Sequence, residues 1–189
     1  KNGWPVAGEV FKEGTYEIES ERRGYALELA VDFVRMEYTR HRFWEKDDTP
    51  VVPLKSQTLE DVIETWPQGK INVRIGDYMF RPHQKWTITA VPDGGGYLGG
   101  PYYKIVIEGT NRALAATADA EVVTVPEFTG APEQLWRIDQ LTDGTYRIMP
   151  KEVPGTDKEL VLVSVGDSTP SLGEFDMNSD NSKWNFRDH

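Results

Sequence analysis

A glycine-rich segment is the first candidate for chemistry. Residues Gly94-Gly95-Gly96-Tyr97-Leu98-Gly99 have the spacing G-x-G-x-x-G. In dinucleotide-binding proteins this motif joins a strand to a helix whose first amides hold the pyrophosphate. Here Gly100-Pro101 and another strand-forming run follow, so no helix N-terminus is available. The segment is interpreted as a hairpin loop, and no cofactor is expected.

The acidic and imidazole side chains do not form a recognisable metal site. Asp176-Met177-Asn178-Ser179-Asp180 begins like a calcium-binding loop. However, Asn181 stands where that loop needs glycine, and Arg187 stands where it needs a bidentate carboxylate. The segment is therefore interpreted as a turn capped by its own side chains. The three histidines share no metal-ligand spacing and are expected on the surface or in turns: His41, His83 and His189.

A nucleophilic active site is equally hard to find. Gly166-Asp167-Ser168 is similar to sequences around catalytic serines, but the G-x-S-x-G elbow is absent. The chain contains no cysteine, which excludes thiol catalysis and disulfides. Among 31 acidic residues no catalytic pair stands out. We therefore expect a protein that is not an enzyme.

Composition limits the partners that the chain can have. Its 189 residues carry a net charge of −10, and a surface of that sign repels both phosphate backbones and anionic lipids. No apolar run approaches the roughly 20 residues that cross a bilayer. Nucleic acid and membrane are therefore not expected as partners. The length favours a single domain over residues 1–189.

Short runs that alternate apolar and polar residues predict β-strands along most of the chain. Glycine and proline fall mostly between these runs, as turns require. Many short strands of this kind predict a barrel or a sandwich. One segment differs, because Leu59, Val62, Ile63 and Trp66 recur at helical spacing before Pro67. It predicts about two turns of amphipathic helix within an insertion.

Two sequence elements recur three times. The first has the form Q/S-x-W-x-hydrophobic and places tryptophan at positions 86, 136 and 184. The second, centred on a tyrosine, precedes each of these, as in Gly14-Thr15-Tyr16-Glu17-Ile18 and Gly144-Thr145-Tyr146-Arg147-Ile148. The first repeat is about 30 residues longer than the other two, which matches the insertion with the predicted helix.

Three repeats of this form resemble a β-trefoil, and the Q-x-W element is similar to that of ricin-B-type domains. The resemblance implies an all-β fold whose three tryptophans lie in a shared barrel core. It divides the chain into a first repeat at about 14–91 with an insertion at about 50–80, a second at about 101–141 and a third at about 144–189. Ser182 departs from the pattern, because it replaces the glutamine in the third repeat.

Sugar-binding ricin-type domains place an Asp after a Leu, ahead of the Q-x-W element. The corresponding stretches of the second and third repeats read Arg112-Ala113-Leu114-Ala115-Ala116 and Leu160-Val161-Leu162-Val163. Both lack the acid, so a sugar hydroxyl has no obvious carboxylate partner there. A carbohydrate-binding trefoil is therefore the second hypothesis, and exposed aromatic residues near Tyr97 or Tyr102 would favour it.

The chain also resembles the fungal trefoil protease inhibitors, the mycocypins and the related serine-protease inhibitors. The resemblance is carried by the strand from Gly14 to Ile18, by Trp136-Arg137-Ile138 leading to Asp143-Gly144-Thr145-Tyr146, and by Trp184-Asn185-Phe186. It covers about half of the chain. The implied function, our first hypothesis, is inhibition of a protease by loops that enter its active-site cleft, with a papain-like cysteine protease favoured over a serine protease.

The inhibitor hypothesis assigns candidate contact residues to three loops. For a papain-like target they lie in the first loop, at Arg22, Arg23, Gly24 and Tyr25, and in a second wedge at Gly95, Gly96 and Tyr97. For a trypsin-like target the reactive residue would be Arg35, Arg40 or Arg42, since a cation fits the acidic specificity pocket. The same resemblance implies a secreted monomer that acts on a host or foreign protease, although a chain without cysteine also fits the cytoplasm.

Overall fold

Short antiparallel strands separated by turns make up most of the structure. The computed structural model describes residues 10–22, 24–34, 51–53, 69–92, 94–97, 100–166 and 169–188. In these ranges the strands, numbered in chain order, are β1 Gly14–Ser20, β2 Ala26–Leu29, β3 Asp32–Val34, β4 Val51–Pro53, β5 Ile71–Gly76, β6 Trp86–Ala90, β7 Gly96–Tyr97, β8 Gly100–Pro101, β9 Tyr103–Ile107, β10 Ala113–Ala116, β11 Val122–Val125, β12 Trp136–Gln140, β13 Tyr146–Pro150, β14 Val161–Val165, β15 Thr169–Gly173 and β16 Trp184–Asp188. Three short 3-10 helices interrupt them: η1 Pro82–Gln84, η2 Pro132–Gln134 and η3 Asp180–Ser182.

Six of the described strands close into a barrel. β1 pairs with β6, β6 with β9, β9 with β12, β12 with β13 and β13 with β16, and β16 returns to β1. Every one of these pairings is antiparallel. Because the ring is closed, the barrel strands offer no open edge to another chain.

Three hairpins, β2–β5, β10–β11 and β14–β15, complete a threefold pattern. Each hairpin lies in the sequence between two barrel strands, so the order barrel strand, hairpin, barrel strand occurs three times. The hairpins also contact one another: β11 pairs with β5, and the Leu172 amide donates to the Ala120 carbonyl oxygen at 3.0 Å. A six-stranded barrel with three such hairpins is a β-trefoil, and the predicted fold class is confirmed.

Among the described strands, two pairs lie outside this pattern, the parallel pair β3–β4 and the hairpin β7–β8. The predicted insertion at about 50–80 overlaps β5, since Ile71–Gly76 pairs with β2. The extra residues of the first repeat therefore lie between β2 and β5. The helix predicted around Leu59 to Trp66 lies outside the described residues. In the described ranges, no helix has the length and apolar character to span a bilayer.

The three repeated tryptophans form the centre of the core. Trp86, Trp136 and Trp184 have no exposed surface and belong to one continuous apolar cluster. Each indole Nε1–H donates at 2.9 Å to a hairpin carbonyl oxygen, of Leu27, Leu114 and Leu162 respectively. The ring thus fills the barrel, and its one polar atom satisfies a backbone group of the hairpin.

The repeated tyrosines lie opposite these tryptophans on the neighbouring barrel strand. In each repeat the first and last strands align the two residues as Tyr16 with Trp86, Tyr103 with Trp136, and Tyr146 with Trp184. The shared register explains why the two sequence elements recur together. It also fixes which side chains of the three repeats occupy equivalent positions.

Phe11, which precedes β1, joins the three repeats at one end of the core. Its ring centroid lies 5.1 Å from that of Tyr16, 5.8 Å from Tyr103, 5.6 Å from Tyr146 and 4.6 Å from Phe186. The Tyr103 hydroxyl donates to the Phe11 carbonyl oxygen at 2.8 Å. Tilted and edge-on ring contacts of this kind add to the apolar burial.

The residue two before each tryptophan organises the preceding loop. Gln84 and Gln134 end η1 and η2, and each side-chain Oε1 accepts the amide five residues earlier, from Met79 at 2.8 Å and Thr129 at 2.7 Å. In the third repeat the shorter Ser182 donates to the Asp176 carbonyl oxygen at 3.3 Å. The Gln or Ser of the repeat therefore anchors a loop beside the core.

Replacing Trp136 with phenylalanine tests the link between barrel and hairpin. The change removes the indole donor, leaves the Leu114 carbonyl without its partner and opens a small cavity, so we expect a loss of about 2–4 kcal/mol in the free energy of unfolding, measured with urea. Trp86→Phe and Trp184→Phe should cost similar amounts. Tyr102→Phe, at a partly exposed position, is the control. A loss below about 0.5 kcal/mol for Trp136→Phe would contradict the role assigned to this bond.

Candidate functional site

The loop between β1 and β2 is held against the third repeat. Arg22 donates from Nη2 to the carbonyl oxygen of Gly166, in the turn between β14 and β15. Gly24 is exposed and has φ of +73°, so the turn itself requires glycine there. Tyr25 is partly buried and packs against the core. Arg23 lies outside the described residues. These contacts fix the position of the loop. Its role in protease binding stays a prediction.

The glycine-rich segment forms the predicted hairpin, with β7 paired to β8. A Cβ atom on Gly96 would lie 2.5 Å from the Gly100 carbonyl oxygen, so this close approach requires glycine. Gly95 is exposed and has φ of +90°, and the side chain of Tyr97 lies outside the described residues. Lys151 fixes the base of the hairpin by donating to the Gly94 carbonyl oxygen at 2.8 Å.

The alternative reactive residues, Arg35, Arg40 and Arg42, lie outside the described residues, as do His41 and His189. The segment that begins at Asp176 is a turn, as predicted. Asp176 Oδ1 accepts the Asn178 amide at 3.0 Å, and Ser179 Oγ accepts the Asn181 amide at 3.2 Å. In the described part of the chain, no group of three acidic or histidine side chains could hold a metal ion.

His83 corrects one sequence expectation. It was expected on the surface or in a turn, but in η1 it is only 2% exposed. Its position directly before Gln84 places it beneath the loop that Gln84 anchors, and no local sequence pattern indicates this burial. Its neighbour in space is a carboxylate from the other end of the first repeat.

That carboxylate belongs to Glu28, which lies on β2 and is 5% exposed. Its Oε1 accepts the Gln84 Nε2–H at 2.6 Å and lies 3.5 Å from His83 Nε2. Its Oε2 accepts the Arg74 Nε–H at 2.5 Å, and Arg74 also donates to the Val31 carbonyl oxygen at 2.8 Å. A buried carboxylate needs such partners, because it has given up its hydration.

The partners determine the charges in this cluster. Burial by itself would raise the pKa of Glu28, but the bonds with His83, Arg74 and Gln84 outweigh it and hold that pKa below its ordinary value. Burial lowers the pKa of His83, although the bond to Glu28 and its charge act in the opposite direction. At neutral pH the cluster therefore contains an ionised carboxylate beside a neutral imidazole.

A loop that carries the exposed ring of Phe80 and the partly buried ring of Tyr78 adjoins the cluster. Gln84 Nε2 donates to the Asp77 carbonyl oxygen at 2.7 Å, so the side chain that holds Glu28 also holds residues 77–79. Within this loop the Tyr78 and Phe80 ring centroids lie 4.7 Å apart. Phe80 is 71% exposed and has φ of +59°, a strained backbone for a bulky residue. We call the rings of Tyr78 and Phe80 the aromatic pair.

The prediction that the acid is missing rests on the second and third repeats, and Glu28 lies in the first. In each repeat a leucine carbonyl oxygen accepts the indole hydrogen bond of the tryptophan. The residue that follows this leucine is Glu28 in the first repeat, Ala115 in the second and Val163 in the third. Applied to Tyr25-Ala26-Leu27-Glu28, the rule of an acid after leucine would have found it. The first repeat alone carries a carboxylate at this position.

Comparison with known proteins agrees with this fold. A protein-family profile described as "Ricin-type beta-trefoil lectin domain-like" matches residues 82–170, which include His83 and Gln84. Comparison of the sequence with curated proteins gives no match.

Three solved structures show the likeness in the fold. The designed threefold-symmetric protein ThreeFoil has a TM-score of 0.59 at 19% identity, over 93% of this chain and 99% of its own. SeviL, solved with the asialo-GM1 saccharide, has a TM-score of 0.53 at 13% identity, over 94% and 98%. A Culex quinquefasciatus salivary protein of a cysteine- and tryptophan-rich family has a TM-score of 0.56 at 15% identity, over 95% and 95%. At these identities the likeness shows the β-trefoil fold.

The Glu28 cluster predicts a loss of stability in acid. Because the pKa values of Glu28 and His83 are lower in the folded protein, the unfolded chain binds more protons as pH falls. The His83 contribution is complete above about pH 6.5 and the Glu28 contribution above about pH 4.5, and each is lost as pH falls through the folded pKa. We therefore expect the free energy of unfolding to decrease from pH 7 to pH 4.

Glu28→Gln isolates the carboxylate contribution. At pH 7 the free energy of unfolding of the variant should be about 2 kcal/mol lower than that of the wild type. The difference should shrink below pH 4.5, where the carboxylate begins to be protonated. Urea unfolding at pH 7, 5.5 and 3.5 measures both. Glu159→Gln, at an exposed position, is the control and should follow the wild type. A difference between wild type and Glu28→Gln that does not change with pH would contradict the assignment of an ionised Glu28.

Proposed function

We propose that the chain is a carbohydrate-binding trefoil module whose site lies in the first repeat. The observation that carries the proposal is the 71% exposed ring of Phe80, paired with the partly buried Tyr78, in a loop that Gln84 links to the buried carboxylate of Glu28. A pyranose has apolar C–H faces that stack on aromatic rings and hydroxyl groups that need polar partners. Phe80 supplies the stacking surface, and the exposed Asp77 in the same loop supplies a polar partner.

Two further features support this site. Trefoil cores are filled by side chains, so ligands bind at the loops, and residues 77–81 form such a loop. The strained φ of Phe80 presents a large ring to solvent at a cost in stability, which is typical of a functional position. The lectin-type profile, which matches residues 82–170, and SeviL, which was solved with a saccharide, support a carbohydrate-binding module in general and not the position of its site.

The comparisons therefore favour carbohydrate binding, the second hypothesis from the sequence, over protease inhibition, the first. None of the comparisons reported above supports protease inhibition, and the loops assigned to it remain predictions. Binding of a sugar requires no catalytic step, which agrees with the expectation of a protein that is not an enzyme. The expected partner becomes a carbohydrate in place of a protease.

Phe80→Ala tests the proposed function. We expect the wild type to bind at least one glycan on an array with galactose, N-acetylgalactosamine, mannose, glucosamine and N-acetylglucosamine termini, and Phe80→Ala to lose about tenfold or more in affinity for it by titration calorimetry. The melting temperature should change little, because the ring is 71% exposed.

Val165→Ala is the matched control, since it truncates another exposed apolar side chain, in the third repeat. Its glycan affinity should equal that of the wild type. The proposal is overturned if the wild type binds none of these sugars at millimolar concentration, or if Phe80→Ala binds as well as the wild type.

A further inference from the structure

The turn that presents the Phe80 ring of the aromatic pair occurs again in the second repeat. Four residues before the anchoring glutamine stands Phe80 in the first repeat and Gly130 in the second. Both have a left-handed backbone, with φ of +59° at Phe80 and +86° at Gly130. Among the described residues, a Cβ atom on Gly130 would have nothing within 4 Å beyond its chain neighbours, so packing does not require glycine there. Glycine is the relaxed solution for this backbone, and the first repeat gives it up for a large aromatic side chain.

The two repeats share one hydrogen bond of this turn and differ in another. The Met79 amide donates to Gln84 Oε1 at 2.8 Å, as the Thr129 amide donates to Gln134 Oε1 at 2.7 Å. In the first repeat the other end of the same side chain, Gln84 Nε2, donates to the Glu28 carboxylate at 2.6 Å. The second repeat has an alanine at the position of Glu28. Because an ionised carboxylate only accepts hydrogen bonds, Glu28 fixes the Gln84 amide with its oxygen toward Met79.

The charge of Glu28 strengthens this arrangement. Two charged or titratable groups face it: Arg74 of β5 donates to Oε2 at 2.5 Å, and His83 Nε2 of η1 lies 3.5 Å from Oε1. Both favour the ionised carboxylate, and the pKa of Glu28 stays below its ordinary value. Arg81, in the loop, acts on His83 and contributes to the lowering of its pKa. A hydrogen bond to an ionised group is about twice as strong as a neutral one, so Gln84 is held firmly at neutral pH.

We propose that Glu28 is a positioning residue for Phe80: through Gln84, its charge holds the turn of residues 77–81 in the strained backbone that presents the ring. The inference rests on the proposed carbohydrate-binding function and adds the regulation of that site. When Glu28 loses its charge, the bond to Gln84 weakens and the turn relaxes. The ring then no longer keeps the position that stacks on a sugar, and the ligand is released in acid.

Amide hydrogen exchange measures the turn without any ligand. At pH 7, Glu28→Gln should lower the protection factor of the Met79 amide about tenfold, because Gln84 loses its charged partner. The Thr129 amide makes the equivalent bond in the second repeat and is the internal control, with an expected change of less than about twofold. Glu159→Gln, which neutralises an exposed acid elsewhere, should change neither amide.

Substitutions at Phe80 test the strain that this arrangement opposes. Phe80→Ala and Phe80→Gly both remove the ring, but only glycine adopts a positive φ without a steric cost. The Met79 protection factor should therefore be about fivefold higher in Phe80→Gly than in Phe80→Ala. Gly130→Ala introduces the same strain in the second repeat and should lower the Thr129 protection factor by a similar factor. Equal Met79 protection in the two Phe80 variants would overturn the inference, because the turn would then store no strain.

Binding experiments test the consequence for the ligand. For the glycan that the wild type binds, Glu28→Gln should lose about tenfold in affinity at pH 7 by titration calorimetry. Wild-type affinity should be constant from pH 7 to about pH 5 and decrease below about pH 4.5, since the charge of Glu28 is lost as pH falls through its lowered pKa. The affinity of Glu28→Gln should not change over this range. Near-ultraviolet circular dichroism checks that each protein is folded at each pH.

The outcomes separate this inference from the proposed function. Equal changes at the Met79 and Thr129 amides in Glu28→Gln, or no change at either, overturn the positioning role. A decrease of affinity in acid that Glu28→Gln retains also overturns it, because another acid, such as Asp77 of the same turn, would then be responsible. Loss of Met79 protection in a chain that binds no glycan supports the positioning role and overturns only the proposed function.

Discussion

The structure depends on one hydrogen bond that is made three times, from a buried indole Nε1–H to a leucine carbonyl oxygen of the adjacent hairpin. The indole fills the barrel, and its donor satisfies a backbone group that the hairpin leaves beside the core. Barrel and hairpins are thus connected by the same side chain. The equal length of the three bonds, 2.9 Å, shows how closely the repeats keep this contact despite the extra residues in the first.

A fixed contact of this kind leaves neighbouring positions able to differ. The residue after the accepting leucine is Glu28, Ala115 or Val163, and the residue after the repeated tyrosine is Glu17 in the first repeat. Both positions in the first repeat carry acids, and Glu28 accepts a hydrogen bond from Gln84, which anchors the loop of residues 77–81. The first repeat therefore departs from threefold symmetry at both positions, while the buried tryptophans keep theirs.

Sequence patterns predicted what the repeats share and missed what depends on distant parts of the chain. The spacing of Trp86, Trp136 and Trp184 was sufficient to predict the barrel core, because each side chain must be buried in every repeat. The first repeat was harder to interpret. Its extra residues separate β2 from β5, so Ile71–Gly76 was assigned to the insertion although it pairs with β2.

Burial of single polar residues was not predictable in the same way. His83 and Glu28 lie far apart in the sequence and meet only when β2 packs against η1. No local pattern distinguishes His83 from a solvated residue, and the acid after Leu27 marks the position of Glu28 without indicating its burial. The candidate loops at Arg22 and Gly24 came from a resemblance, and their contacts in the structure are explained by the turn and by the bond to Gly166.

The cost of the Glu28 cluster is an argument that its role lies outside folding. Burying a carboxylate with an arginine and a histidine sacrifices hydration, and apolar residues of similar size often give equal or greater stability. The second and third repeats have apolar residues, Ala115 and Val163, at the position equivalent to Glu28. The fold therefore does not need a charge at this position. Such a network, which Gln84 links to the loop that carries the strained and exposed Phe80, supports the proposal that this part of the first repeat binds a ligand.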